Sequence, residues 1–197
     1  MSQITKWMLI LAGVLMVGIY FVPIWHIDLF APQYPEGMYM QIWLNKMTGD
    51  IRNINILNHY IGMRAIVPDE IPELRYLPFG VAFLIIGALI SALIKNIWAI
   101  RIYVTLFLSC AVVSFYDFWL WGYRYGHELN PHASIKMPGM SYQPPLIGPK
   151  TLLNITAWSM PDIGGYLFGA ATILIFAALY LREKERTKYT ANGSLFK

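Results

Sequence analysis

Residues Tyr76–Ile94 read YLPFGVAFLIIGALISALI, a run of nineteen positions without a charged side chain. About 20 apolar residues in a helix cross the hydrocarbon core of a bilayer, so this run predicts a transmembrane helix. Three further stretches have a similar length and composition: Trp7–Trp25, Ile102–Trp121 and Gly164–Leu181. The stretch from Ile102 is interrupted once, by Asp117. The sequence therefore predicts four membrane spans.

The overall composition agrees with a membrane protein. Hydrophobic residues make up 57% of the 197 positions and charged residues 13%, against about 25% charged in ordinary globular domains. We expect an all-α integral membrane protein, with residues 1–197 forming a single domain in the lipid bilayer. The basic residues form no long soluble patch, which argues against nucleic acid as a partner. The first stretch follows Lys6 and lacks a small-x-small cleavage site, so we expect a retained anchor.

The basic residues also predict the orientation. Eight of the fifteen lie in the N-terminal segment, in the short connection between the second and third spans, and in the tail 182–197: Lys6, Lys95, Arg101, Arg182, Lys184, Arg186, Lys188 and Lys197. Lysine and arginine beside spans favour the cytoplasmic side. Both termini are therefore predicted to lie in the cytoplasm, with two extracytoplasmic loops at about 26–75 and 122–163.

These two loops are predicted to be ordered, because disorder requires low hydrophobicity and a high net charge. In the first loop, Met38–Leu44 and Asp50–Leu57 are predicted to be the strands of a short β-hairpin. A helical turn over residues 58–63 follows. In the second loop, Thr151–Met160 is predicted to form a short surface helix that ends at Pro161.

Histidine and methionine are concentrated in the loops. All four histidines and seven of the ten methionines lie in the two predicted extracytoplasmic loops. Imidazole and thioether are ligands that suit copper, and thioether suits Cu(I) in particular. His59 and Met63 have the i, i+4 spacing of a helical face, while Met38 and Met40 share one face of a strand. The candidate copper ligands are His59, Met63, Met38, Met40, Met137, Met140, His127 and His132.

A structural role is the alternative for these residues, because methionine often fills irregular gaps in membrane proteins. A second polar site is predicted at the outer end of the third span, formed by Asp117, Arg124, His127 and Glu128. Asp117 as an interfacial carboxylate bonded to loop backbone is the favoured alternative there. Haem is not expected, because no histidine lies within a span and the loops lack Cys-x-x-Cys-His.

Three strings stand out in the loops: APQYPEGM at 31–38, NHYIGM at 58–63 and PGMSYQPP at 138–145. Together with the layout of the spans, they resemble a family of bacterial inner-membrane proteins. That family is associated with copper-chaperone and nitrous-oxide-reductase maturation proteins. The resemblance implies a location in the bacterial inner membrane and a role close to copper.

Three functions follow as hypotheses. The first is an accessory protein that handles Cu(I), or helps to assemble a copper-dependent respiratory enzyme, on the extracytoplasmic side. The second is a structural or docking subunit that binds another membrane or periplasmic protein through its loops. The third is a small membrane enzyme or transporter that uses the Asp117 site. No catalytic residue is predicted, so an enzymatic role is the less favoured interpretation.

Overall fold

The computed structural model describes residues 2–94, 96–135, 139, 141–152 and 154–194. Four helices in this part are long and apolar enough to cross a membrane, as predicted. Helix α1 (Gln3–Gly18) continues as a 3-10 turn over Ile19–Phe21, and the other three are α3 (Pro72–Leu93), α4 (Ile97–His127) and α5 (Ile163–Ser194). The chain thus has the architecture of a multi-pass membrane protein.

Helix α1 is central in the bundle and packs against α3 and α5. Its side chains Leu9 and Met16 are fully buried, as are Phe107 of α4 and Ile175 of α5. Phe107 also stacks on Phe168, with ring centroids 5.1 Å apart. Well-packed apolar side chains of this kind hold the helices together through the contacts they make with one another.

Polar groups close the end of the bundle where α1 begins and α5 ends. The backbone N–H of Ser2 donates to both carboxylate oxygens of Glu185, each at 3.2 Å. Arg101 of α4 forms an ion pair with Glu183 of α5 at 2.6 Å. These bonds join α1, α4 and α5 where the hydrophobic stretches end.

The opposite end of the bundle carries a five-stranded antiparallel sheet, which corrects the all-α expectation. Its order is β3-β2-β1-β5-β4. The strands are β1 (Trp25–Ala31), β2 (Tyr34–Ile42), β3 (Met47–Gly49), β4 (Gly148–Leu152) and β5 (Ile155–Pro161). Both predicted loops contribute strands, and β1 pairs with β5 along its length. We call the sheet and the segments around it, the described residues within 22–71 and 128–162, the cap.

Three local predictions were wrong. Residues predicted as the strand Asp50–Leu57 form helix α2 (Ile51–Ile61), so the short hairpin in this loop pairs β2 with β3 instead. The predicted surface helix Thr151–Met160 is the β4–β5 hairpin. Trp25, placed at the end of the first span, begins strand β1.

The cap core lies between α2, one face of the sheet and the outer ends of α3 and α4. Alternate residues of β1 and β2 point into it, because successive side chains of a strand face opposite sides. Ile27, Met38, Met40 and Met47 from the strands pack there with Ile54 of α2. This packing fixes which face of the sheet is covered and which is open.

The two outer segments interlock around Gly62. Its φ of 81° is a left-handed conformation, which glycine adopts without steric cost. Its carbonyl accepts the N–H of Asn130 at 2.8 Å, and the carbonyl of Tyr60 accepts the N–H of Ile135 at 2.9 Å. Arg64 adds an ion pair with Glu128 at 3.0 Å. The cap is therefore one structural unit built from two distant parts of the chain.

Candidate functional site

Two of the predicted copper ligands belong to the cap core. Met38 and Met40 do share one face of β2, but that face is the covered one, and the residues are 4% and 3% exposed. They pack against Ile27, Ile54 and Leu74. A thioether in this position fills space between apolar neighbours and is not accessible from solvent.

The His59 and Met63 pair does not share a helix. Helix α2 ends at Ile61, and the left-handed Gly62 turns the chain away before Met63. The N–H of Met63 donates to the carbonyl of Asn58 at 2.8 Å, a bond that closes the helix end. His59 is exposed and lies against Tyr60 edge-on, with centroids 6.2 Å apart.

The remaining predicted ligands lie in the second outer segment. The ring of His127 stacks on Tyr123 at 4.0 Å, and its Nδ1 lies 2.9 Å from the carbonyl oxygen of Tyr123. His132 is exposed near a turn. Met137 and Met140 lie outside the described residues. Within the described ranges, no three side chains of histidine, cysteine, aspartate or glutamate converge on a common metal position.

The structure does bring together an imidazole and a thioether that were not among the predicted ligands. His26 of β1 is the direct register partner of Met160 on β5 and of Gln41 on β2. Directly opposed residues in antiparallel strands project on the same face, with Cβ atoms about 4.5–5.5 Å apart. His26 and Met160 are therefore neighbours on the open face of the sheet, away from the cap core.

Two carboxylates flank the His26 ring. Oδ2 of Asp162 lies 3.6 Å from Nδ1, and Oδ2 of Asp28 lies 3.8 Å from Nε2. The Asp162 carboxylate also accepts a hydrogen bond from the Gln41 amide at 3.2 Å, which fixes its position. The His26 side chain is 29% exposed, so the ring is partly covered and still accessible. Both carboxylates lie beyond hydrogen-bond distance, so each stands beside a ring nitrogen without bonding it.

Three aromatic side chains stand exposed on the same open face. Tyr39 and Trp158 are the register partners of Asp28 on either side, and Phe30 lies two residues further along β1. Their exposed fractions are 43% for Trp158 and 50% for the other two. The candidate ligands His26 and Met160 thus lie beside an aromatic surface that no described element covers.

The second predicted polar site is divided in the structure. Glu128 pairs with Arg64 of the first outer segment, and His127 bonds back to its own helix. Among the described residues, Asp117 has no ion pair within 4.0 Å, although Arg124 and Glu73 are near enough to act on it electrostatically. The expected bond from Asp117 to loop backbone is also not formed by any described residue.

Sequence reasoning missed His26 and Met160 as a pair because their proximity depends on the β1–β5 pairing. The β-branched and aromatic residues around each position are typical of strands, but residue preference does not say which strands pair. Comparison with known proteins adds no ligand set: no protein-family model, curated protein or solved structure matches the chain.

Proposed function

We propose that this protein is a membrane-anchored accessory protein that takes up Cu(I) and passes it on outside the cytoplasm. The observation that carries the proposal is the side-by-side placement of His26 and Met160 on the open face of the sheet. Copper is the cargo in this account.

The chemistry of the pair favours Cu(I) over harder ions. Thioether is a soft ligand and imidazole an intermediate one, and both suit copper, whereas magnesium, calcium and manganese prefer sets of oxygen ligands. A two-ligand site on a strand surface leaves coordination positions open to a partner's ligands. Incomplete coordination of this kind supports transfer of the ion from one protein to the next.

The direction of insertion supports a cap outside the cytoplasm. The end of the bundle opposite the cap carries Lys6, Arg101 and the basic tail that begins at Arg182. Positive residues beside spans are retained on the cytoplasmic side. With that orientation the His26–Met160 pair faces the periplasmic space of a bacterial inner membrane.

A docking role is the second candidate, favoured by the exposed aromatics of the same face. Tyrosine, tryptophan and phenylalanine are enriched in protein–protein interfaces and among the residues that dominate their affinity. Phe30, Tyr39 and Trp158 would contact a membrane or periplasmic partner there. This role requires no metal.

The deciding experiment is a Cu(I) titration of the detergent-solubilised protein against a competing chelator. We expect stoichiometric binding that His26→Ala or Met160→Leu weakens at least tenfold. Met40→Leu is the matched control, because it changes a buried methionine on the opposite face and should bind as the native protein does. His59→Ala should also bind normally.

Two results contradict the proposal. If the folded native protein takes up no Cu(I) in competition with the chelator, the copper proposal is rejected and the docking role is favoured. Binding that survives the His26→Ala, Met160→Leu double variant places any copper site elsewhere. Substitution of Trp158 by alanine separates the roles, since it should weaken partner association and leave Cu(I) affinity unchanged.

A further inference from the structure

Asp28 stands among three exposed aromatic side chains on the open face of the sheet. Tyr39 and Trp158 are its register partners on β2 and β5, and Phe30 follows two residues later on the same face of β1. Directly opposed residues project side by side, with Cβ atoms about 4.5–5.5 Å apart. The Asp28 carboxylate therefore has an aromatic neighbour on each side and a third one further along its own strand.

The Phe30 ring leans toward β2, on the Tyr39 side of Asp28. A Cβ built on Gly37 of β2 would lie 3.0 Å from one carbon of this ring, so the ring lies over the bare glycine backbone. None of the three rings contacts another aromatic ring in the described part of the chain. Phe30 and Tyr39 thus form one side of the group, Trp158 forms the other, and their faces are free.

The spacing of the strands leaves room for a flat group between the two sides. Tyr39 and Trp158 are separated by two strand spacings, about 9–10 Å. A flat group in contact with a ring on each side needs about 7–8 Å between the rings. A planar ligand therefore fits above Asp28.

The Asp28 carboxylate accepts no hydrogen bond from any described residue. Its one charged neighbour within 4.0 Å there is His26, whose Nε2 lies 3.8 Å away, beyond hydrogen-bond distance. The Asp28 side chain is 38% exposed. Both carboxylate oxygens are therefore open to donors from outside the chain.

The charge of this face is negative around Asp28. The residues of β1, β2, β3 and β5 that face this side include no lysine or arginine: His26, Asp28, Phe30, Tyr39, Gln41, Thr48, Thr156, Trp158 and Met160. At the corner of the same face, the Lys46 ammonium lies 4.5 Å from the centroid of the Trp43 ring. The chain itself thus places a cation on an aromatic ring of this face, as cations commonly bind.

A partner that covers this face must bring a cation with N–H donors. An apolar partner would remove water from the Asp28 carboxylate and supply no donor, which is costly for a charged group. A guanidinium meets both requirements of the site, because it is planar, stacks on aromatic faces and donates two parallel hydrogen bonds to a carboxylate. A lysine ammonium is a compact, strongly hydrated charge and matches the flat space less well.

We propose that this part of the open face binds an arginine side chain of a partner protein. The guanidinium lies between Trp158 on one side and Tyr39 and Phe30 on the other, and its N–H groups donate to Asp28. The inference rests on the docking role proposed above and names the chemistry of the partner. It requires no copper.

The test measures peptide binding to the full-length protein in nanodiscs of zwitterionic lipid at neutral pH. The probe is the acetylated and amidated peptide Gly-Gly-Arg-Gly-Gly, followed by saturation-transfer NMR against empty nanodiscs. The control peptide carries citrulline, which has nearly the same shape as arginine and no charge. We expect the native protein to bind the arginine peptide about fivefold or more tightly than the citrulline peptide.

Three variants assign the binding to this site. Asp28→Asn should bind the two peptides equally, and Trp158→Leu should weaken binding of the arginine peptide. Asp69→Asn is the matched control, because it removes the same charge from a turn outside the sheet and should bind as the native protein does. Unfolding temperatures should stay close to the native value, because Asp28 makes no internal hydrogen bond and Trp158 is exposed.

Four outcomes overturn the inference. Equal binding of the arginine and citrulline peptides by the native protein rejects recognition of a cation. Equal loss in Asp28→Asn and Asp69→Asn means a general attraction between charges. Binding of a leucine peptide as tightly as the arginine peptide rejects the arginine and keeps an apolar docking role. Self-association of the native protein that Asp28→Asn abolishes means that a second copy covers the face.

Failure of this inference is distinct from failure of the copper proposal. The peptide measurement is made without copper, and the Cu(I) titration is made without peptide. A protein that binds Cu(I) and does not distinguish the two peptides therefore keeps the copper role and loses the arginine site.

Discussion

The contact between α4 and the second outer segment can be tested by adding one methyl group. Gly126 lies near the end of α4, where residues 141–145 cross the helix, and its carbonyl accepts the N–H of Tyr142 at 2.9 Å. A Cβ at this position would collide with the backbone N and Cα of Gln143. Backbone cannot move aside as a flexible side chain can, so Gly126→Ala must displace the crossing segment.

The expected cost follows from these two contacts. Overpacking costs about 1–3 kcal/mol, and a lost hydrogen bond adds about 0.5–1.5 kcal/mol. We expect Gly126→Ala to lower the free energy of unfolding by about 3 kcal/mol. The matched control is Gly169→Ala in α5, where an added Cβ meets nothing within 4 Å. Alanine is the better helix former, by about 0.5–1 kcal/mol, so the control should be unchanged or slightly stabilised.

Thermal unfolding in detergent and limited trypsin digestion measure the effect. The Lys150 ammonium donates to the carbonyl of Gln143 at 2.9 Å, so displacement of this segment should free Lys150 for cleavage. Of the two alanine variants, we expect only Gly126→Ala to unfold at a lower temperature and to be cleaved faster after Lys150. Equal stability and equal protection of the two alanine variants would refute the argument that glycine is required for the crossing.

Two further substitutions test the cap. Met40→Ala should cost about 2–5 kcal/mol in unfolding free energy, because the side chain is 3% exposed in the cap core, and should leave Cu(I) affinity unchanged. Asn55→Ala should cost about 1–3 kcal/mol, because the Asn55 amide bonds both the N–H and the carbonyl of Ile66, at 2.7 and 2.9 Å. Chemical denaturation of each variant measures the loss in unfolding free energy. A loss below about 0.5 kcal/mol, which is the usual size of a surface substitution's effect, would contradict the corresponding prediction.

The spans were predictable because length and hydrophobicity are local properties of the sequence. Each of the four apolar stretches corresponds to a helix. The first span ends at Phe21 and not at Trp25, since hydropathy does not distinguish the end of a helix from the start of an apolar strand. Helix α4 continues past Trp121, where this span was predicted to end, as far as His127.

Helix α2 shows why the cap was harder to predict. Residues Asn53 to Ile56 alternate between polar and apolar, which is typical of a strand. The same segment also places Ile51, Ile54 and Ile61 at helical spacing, and Gly62 follows as a helix-ending residue. Packing against the cap core selects the helix. Short segments with both periodicities are decided by tertiary contacts, which one sequence does not give.

Prediction of the candidate site required tertiary contacts even more than prediction of α2 did, because the site is formed by strand pairing. His26 and Met160 are separated by more than half of the chain, and only the β1–β5 register makes them neighbours. The pattern around Met38 and Met40 correctly placed them on one face of a strand. It did not indicate that this face is the covered one, because a half-apolar strand presents methionine equally well to a core or to a ligand.

The most direct test of the copper proposal is X-ray absorption at the copper K-edge of the Cu(I)-loaded protein. We predict a low-coordinate ion with both sulfur and nitrogen in its first shell. The sulfur contribution should disappear in Met160→Leu and remain in Met40→Leu. A first shell of nitrogen and oxygen alone, or a sulfur contribution that persists without Met160, would contradict the assignment of Cu(I) to the open face of the sheet.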